Sequence, residues 1–235
     1  MIGHVYALFL DASKAFDRLN YIKLFQKLLD KKMCPITIRL LLNKYLNQKI
    51  QVKWNGKLSQ PFNVSNGVRQ GGVLSPLFFS IYIDELLLKL KNSGFGCNIG
   101  TYYFGALGYA DDVVLLCPTK EGLRNMIRIC EKYAYDHDLI FNGNKIILLV
   151  CGAVSECVPK LFVNVIEVPV CHTALHLGNL ISNNVHDTID YGITKFNSSF
   201  NYFMSSFGKC QSLVKNKFIH SILYLILWVS NMACI

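Results

Sequence analysis

The sequence predicts an α+β protein: a mostly antiparallel sheet with helices packed on one face. Three observations predict it. Short apolar runs stop at aspartates, as in "HVYALFLD" ending at Asp11 and "GYADDVVLL" around Asp111 and Asp112. Stretches with apolar residues at helical spacing lie between such runs. Strand and helix patterns also follow one another without the regular alternation of a parallel βαβ fold. The 235 residues are 52% hydrophobic and 17% charged, enough for a sizeable core and unlike a disordered chain.

Taken in order, "HVYALFLD" reads as a buried strand whose C-terminal end is Asp11. "DRLNYIKLFQKLLDKK" is an amphipathic helix with Ile22, Phe25, Leu28 and Leu29 on its inner face. Pro35 opens another helix, with Ile38, Leu41, Leu42 and Tyr45 at i, i+3, i+4, i+7 spacing. Apolar alternation around Asn55-Gly56 predicts a hairpin. A glycine-containing loop, "VRQGG", leads to Ser75-Pro76, an N-cap and first-position pair that starts a helix running to Ser93, with Gly94 as the stop. "ALGYADDVVLLC" is two strands folded at Ala110–Asp111. "TKEGLRNMIRICEKYAYDHD" is a helix with Leu123, Met126, Ile127, Cys130 and Ala134 inward. A strand with a turn at Asn142-Gly143 and a further hairpin within "LFVNVIEVPVCHTALHLGNLI" follow. The texture changes near Asn184, which divides residues 1–184 from a helical module over 185–235.

Lys and Arg total 24 against 15 Asp and Glu, a formal net charge of +9 that suits a polyanionic partner. The nine cysteines show no CxxC and no repeating spacing, so they read as reduced, mostly buried thiols. Cys171-His172 reads as a structural pairing. The N-terminus has neither a basic region nor a small-residue cleavage site, so no signal peptide is expected. "FIHSILYLILWVSNMACI" is apolar, but its unbroken run is far shorter than the ~20 residues of a bilayer span. An intracellular location, nucleus or cytoplasm, without membrane attachment follows as the expectation.

An Asp-Asp pair between strands is, alone, an ordinary turn. Asp11 changes its meaning, because two strands of one sheet can bring their polar ends together. Three clustered carboxylates raise each other's pKa unless a cation compensates. Hard oxygen donors favour Mg²⁺. Two such ions roughly 3.5–4 Å apart serve phosphoryl and nucleotidyl transfer.

"FLDASKAFD", "NGVRQGGVLSPLFFSIYIDEL" and "YADDVVLL" resemble, in order and spacing, motifs A, B and C of reverse transcriptases. The long B motif and "FN..K" at Phe141–Lys145 are similar to the non-long-terminal-repeat, LINE-type retrotransposon branch. "HLGNLI" resembles that family's primer-grip hairpin, and the stretch from Lys195 onward its first thumb helices. The resemblance implies a polymerase palm over residues 1–184 and a partial helical thumb over 185–235.

It also implies roles. Asp11 and Asp111 would bind two Mg²⁺ ions, with Mn²⁺ as a substitute, and Asp112 would be the neighbouring metal-site carboxylate. Phe16 would be the floor under the incoming sugar; from residues alone it reads as a core Phe. Gln70 and Gly71 would contact the nascent base pair, and Arg69 phosphate or template. Lys145 would be the motif D lysine that protonates the leaving pyrophosphate, although Ile146 follows it where the family usually has Thr. Tyr109 would pack beneath the nucleotide-binding hairpin, and Leu177 and Gly178 would shape the primer-grip turn. The implied partners are an RNA template, a DNA primer and a dNTP.

No fingers region precedes Asp11 in this sequence. The expectation is therefore a fragment that polymerises weakly or not at all alone. A catalytically dead nucleic-acid-binding remnant is the alternative; a palm-like nucleotide cyclase fits the "RQGGVLSP" loop less well.

Overall fold

The structure, a computed structural model, describes residues 4–152 and 160–207. In chain order its elements are β1 (Val5–Asp11), α1 (Ala15–Arg18), α2 (Tyr21–Asp30) and α3 (Pro35–Leu46). Four short strands follow: β2 (Lys49–Ile50), β3 (Lys53–Trp54), β4 (Lys57–Leu58) and β5 (Phe62–Asn63). Then come α4 (Ser75–Asn92), β6 (Asn98–Ile99), β7 (Tyr102–Tyr103), β8 (Ala106–Tyr109), β9 (Asp112–Cys117) and α5 (Lys120–Asp136). The remainder is β10 (Ile147–Cys151), β11 (Phe162–Val163), β12 (Ile166–Glu167), β13 (Val170–Cys171), β14 (Thr173–His176), β15 (Asn179–Ser182) and α6 (Val185–Phe207).

The chain forms two compact units, one ending at Leu148 but including the segment up to Val170, the other made of Leu149–Gly152 and the chain from Cys171. The main sheet has the order β13-β10-β1-β9-β8. β1 pairs antiparallel with β9, and β9 with β8. Tyr6 to Leu10 are buried without alternation, as expected of a central strand covered on both faces. Helices α4 and α5 pack against each other and against β8 and β9 respectively, while α2 packs on α3 and α4. Phe78, Phe79, Tyr82 and Leu86 of α4 and Leu123, Met126 and Ile127 of α5 are buried in this core.

Local chemistry explains most of the boundaries. Asn20 caps α2, its side-chain oxygen accepting from the Ile22 and Lys23 amides. Thr119 caps α5 by accepting from Gly122 N–H at 3.2 Å. Pro35 opens α3 as expected. The inner face of α2 differs from the expectation. Tyr21, Leu24, Phe25 and Leu28 are buried, whereas Ile22 is 82% exposed and Leu29 also faces outward. Packing of the Tyr21 ring on Tyr45 of α3 turns 21, 24, 25 and 28 inward as the i, i+3, i+4, i+7 set. Ser75 also departs: Leu74 occupies the N-cap position of α4, without a side-chain cap bond, and the Ser75 hydroxyl is used elsewhere.

In the second unit, β14 and β15 form an antiparallel hairpin closed by Leu177 and Gly178. Both are at positive φ, +50° and +76°, as a tight two-residue hairpin turn requires. Lys195 of α6 donates to the Gly178 carbonyl at 2.7 Å. The expected hairpin within 161–181 is in fact two, since β11 and β12 make their own around Asn164–Val165. The expected thumb residues beyond Phe207, including the apolar 218–235 stretch, lie outside the described residues. Among the described residues, no helix is long and apolar enough to cross a membrane.

Candidate functional site

The register of the sheet builds the site. β1 and β9 pair from Tyr6↔Cys117 to Asp11↔Asp112, so two apolar strands reach their acidic ends together. Directly opposed residues on neighbouring antiparallel strands share one face of the sheet. Tyr109 pairs with Asp112 at the same end, leaving Ala110 and Asp111 as the turn. Ala110 takes φ +52° to make it, and the Ala12 amide donates to the Asp111 carbonyl at 3.4 Å.

A cavity of about 280 Å³ opens there, lined by Asp11, Asp111, Lys145, Phe16 and Gln70 among others. Five residues expected from four separate motifs thus face one space. The Lys145 ammonium donates to Asp11 Oδ1 at 3.0 Å. That bond and the Asp11 charge, reinforced by Asp112 and Asp111, raise the Lys145 pKa and keep the ammonium protonated. Lys145 reaches Asp11 because Phe141 bridges Ala12 and the Asn142 amide donates to the Asp11 carbonyl at 2.8 Å. Lys14 and Asn142 also line the cavity, and sequence reasoning missed both. Their only signal was position, one between Asp11 and Phe16 and the other inside "FN..K".

The second wall is the loop before α4. Phe16 is half-buried, its ring 5.3 Å from that of Phe79, and it separates the acidic cavity from an apolar one of about 480 Å³. The apolar cavity is lined by Phe16, Gln70, Gly71, Gly72, Val73, Ser75 and Pro76. Main-chain bonds tie the loop to the Phe16 segment: Val68 N–H to the Phe16 carbonyl at 2.7 Å, and Gly67 N–H to that of Leu19 at 2.8 Å. The buried Tyr21 hydroxyl donates to the Gly67 carbonyl at 2.7 Å. At the other end the buried Ser75 hydroxyl donates to the Arg69 carbonyl at 2.5 Å. Gly71, at φ +77°, needs glycine for its backbone.

Other expected residues stand apart from the cavities. Tyr109 does not pack beneath the hairpin; it is 66% exposed at the edge of β8. A pairing position on an exposed strand turns its ring to solvent. Arg69 is exposed and lines neither cavity, and Asp112 lies opposite Asp11 rather than in the lining. Leu177 and Gly178 belong to the second unit.

The donor set can be judged for a metal. Among the described residues, no three Asp, Glu, His or Cys side chains converge as a closed metal cage. Asp11 and Asp111 face one open cavity, and Mg²⁺ is held in just this way, by one or two carboxylates with waters and substrate phosphates. The residues therefore fit a substrate-carried divalent cation and do not fit a structural zinc site.

Solved structures define the class. The fold is that of a polymerase palm: telomerase from Candida tropicalis, solved in complex with a TWJ fragment of telomeric RNA, superposes with a TM-score of 0.55. The match covers 99% of this chain and 39% of that one at 12% identity, so it speaks to the fold alone. Sequence is more specific. The reverse transcriptase (RNA-dependent DNA polymerase) family model matches residues 1–191, and the chain belongs to that family. It is 39% identical over 128 residues to the Pol polyprotein of a type-1 retrotransposable element R2 from Nasonia vitripennis. It is 32% identical over 118 residues to that of the type-2 element R2DM from Drosophila melanogaster. These matches cover 52% and 50% of this chain but only 12% and 11% of the relatives. The similarity to R2 elements agrees with the LINE-type character of the motifs.

Proposed function

We propose that the chain carries the palm of an intracellular RNA-directed DNA polymerase, which joins a dNTP to a primer 3′-hydroxyl on an RNA template and releases pyrophosphate. The observation that carries this reading is the convergence of Asp11, Asp111, Phe16, Gln70 and Lys145 on one cavity. Asp11 and Asp111, with Asp112 beside them, would hold divalent cations, which when bound would supply charge neutralisation and activation of the attacking oxygen.

The chain's own groups do the rest. Phe16 lies under the sugar, where its ring leaves no room for a 2′-hydroxyl. Gln70 and Gly71, on the loop before α4, meet the new base pair, where glycine lets the backbone approach closely. Lys145 holds a proton beside Asp11 and hands it to the leaving pyrophosphate. Lys14 adds a second ammonium for the triphosphate. Arg69 and Tyr109, both exposed, meet template, and the Leu177–Gly178 turn holds the primer. The telomeric RNA bound by the Candida tropicalis telomerase supports a nucleic-acid partner.

The test is binding of a fluorescent dNTP with and without Mg²⁺. The expected result is Mg²⁺-dependent binding, weakened at least about tenfold in Asp111→Asn, a loss of roughly 1.4 kcal/mol. Binding indifferent to both Mg²⁺ and Asp111 would overturn the reading.

A further inference from the structure

Between Asp30 and Asp84 the chain carries eight lysines and arginines and no acidic residue, nearly the whole of its +9 charge. Three of these lysines, Lys49, Lys53 and Lys57, stand on the ribbon made by the β2–β5 and β3–β4 pairs. Every residue from 49 to 63 is exposed, so both sides of the ribbon face solvent. Two strands in that situation are only marginally stable alone. Here Asn55 and Gly56, at φ +47° and +79°, make the turn. Ser59 braces the strands, its amide donating to the Val52 carbonyl and its hydroxyl accepting from the Val52 amide, both at 2.9 Å.

Trp54 stands beside that turn, 81% exposed. A large aromatic ring is seldom left this open. Its cross-strand partner is Lys57, so the indole and the ammonium share one face of the ribbon. A flat ring beside a cation matches an unpaired nucleotide: the ring stacks on the base and the cation meets the phosphate. A duplex presents its phosphates but keeps its base faces stacked.

We propose that this hairpin is a docking surface for single-stranded nucleic acid, with Trp54 stacking on a base and Lys57, on the same face, meeting the adjoining phosphate. The choice of nucleic acid over an anionic lipid surface rests on the polymerase reading above. The surface itself involves none of the groups around Asp11.

The test is fluorescence anisotropy of a labelled single-stranded 12-mer RNA titrated with the 235-residue chain over a range of NaCl concentrations. Trp54→Ala is expected to weaken binding about 5- to 100-fold, the usual worth of one stacked base. Lys57→Gln is expected to reduce the slope of log affinity against log salt by about 0.7, the share of one phosphate contact. Both side chains are exposed, so thermal melts by circular dichroism are expected to match the wild type. Unchanged affinity in Trp54→Ala overturns the proposal. So does an equal loss on blunt duplex RNA, or tighter binding to phosphatidylserine vesicles than to RNA. RNA binding that depends on Trp54 in a chain indifferent to Mg²⁺ and dNTP keeps the hairpin and removes the polymerase reading. The reverse pattern removes the hairpin alone.

Discussion

Gly67→Ala isolates the joint that holds the two walls of the cavity together. Gly67 has φ +88°, in the region that favours glycine, and an alanine forced there costs ~1–2 kcal/mol. A Cβ at this position would lie 2.7 Å from the Asp17 carbonyl oxygen and 2.8 Å from its Cα. Those are backbone atoms of the segment that carries Phe16, so no side chain can swing aside. Relief requires the loop to move off Asp17, at an overpacking cost of ~1–3 kcal/mol. The two costs together make roughly 2–5 kcal/mol, a large part of the ~5–15 kcal/mol that holds a domain folded. Movement would also stretch the Val68–Phe16 and Tyr21–Gly67 hydrogen bonds and displace Phe16 from its seat. Urea unfolding measures the first effect and Mg²⁺-dependent dNTP binding the second. Both are expected to fall together. A variant within about 0.5 kcal/mol of wild type, as for an ordinary surface change, would refute the idea that Gly67 is a backbone-to-backbone contact.

Other perturbations probe neighbouring parts of the same frame. Ser75→Ala removes the buried hydroxyl that holds the Arg69 carbonyl, to which the Gly72 amide also donates at 2.9 Å; a loss of ~0.5–1.5 kcal/mol in urea unfolding is expected, and no change would mean that the Gly72 amide alone holds the carbonyl. Phe16→Val is expected to raise ribonucleotide binding relative to deoxyribonucleotide at least about fivefold, ~1 kcal/mol, read by competition with the fluorescent dNTP. The back of the palm is acid-sensitive. Hydrogen bonds from Lys27 and Lys89 lower the Glu85 pKa from 4.5 to about 2, while burial and the Lys27 charge lower that of His137 below 6.5. Both depressed pKa values mean that the unfolded chain takes up protons first. Stability is therefore full above pH 6.5, declines as His137 is protonated, and declines again between 4.5 and about 2. Urea midpoints against pH should show both declines, and Glu85→Gln should flatten the lower one.

How much of this was legible depended on the range of each interaction. Local signals were read well: Asn55-Gly56 makes its hairpin turn, Pro35 opens α3, and the five inward residues expected in α5 are all buried. Asp11 and Asp111 were legible as a pair because each sits where an apolar run ends. What failed needed a neighbour to be known. Leu29 and Ile22 turned outward because the packing of Tyr21 on Tyr45, with ring centroids 5.4 Å apart, fixed the rotation of α2. Ser75 looked like a cap, yet a carbonyl six residues back claimed its hydroxyl. The reach of Lys145 to Asp11 follows from the Ala12–Phe141 bridge between segments more than a hundred residues apart, which spacing alone does not encode.

The central claim is that Asp11 and Asp111 make a nucleotidyl-transfer centre. Single-turnover addition of one dNTP to an RNA-templated DNA primer, with Mg²⁺ and an excess of the 235-residue chain, tests it most directly. Slow addition that falls by at least about a thousandfold, ~4 kcal/mol of barrier, in Asp111→Ala is the predicted result. Addition that continues unchanged in Asp111→Ala would contradict it.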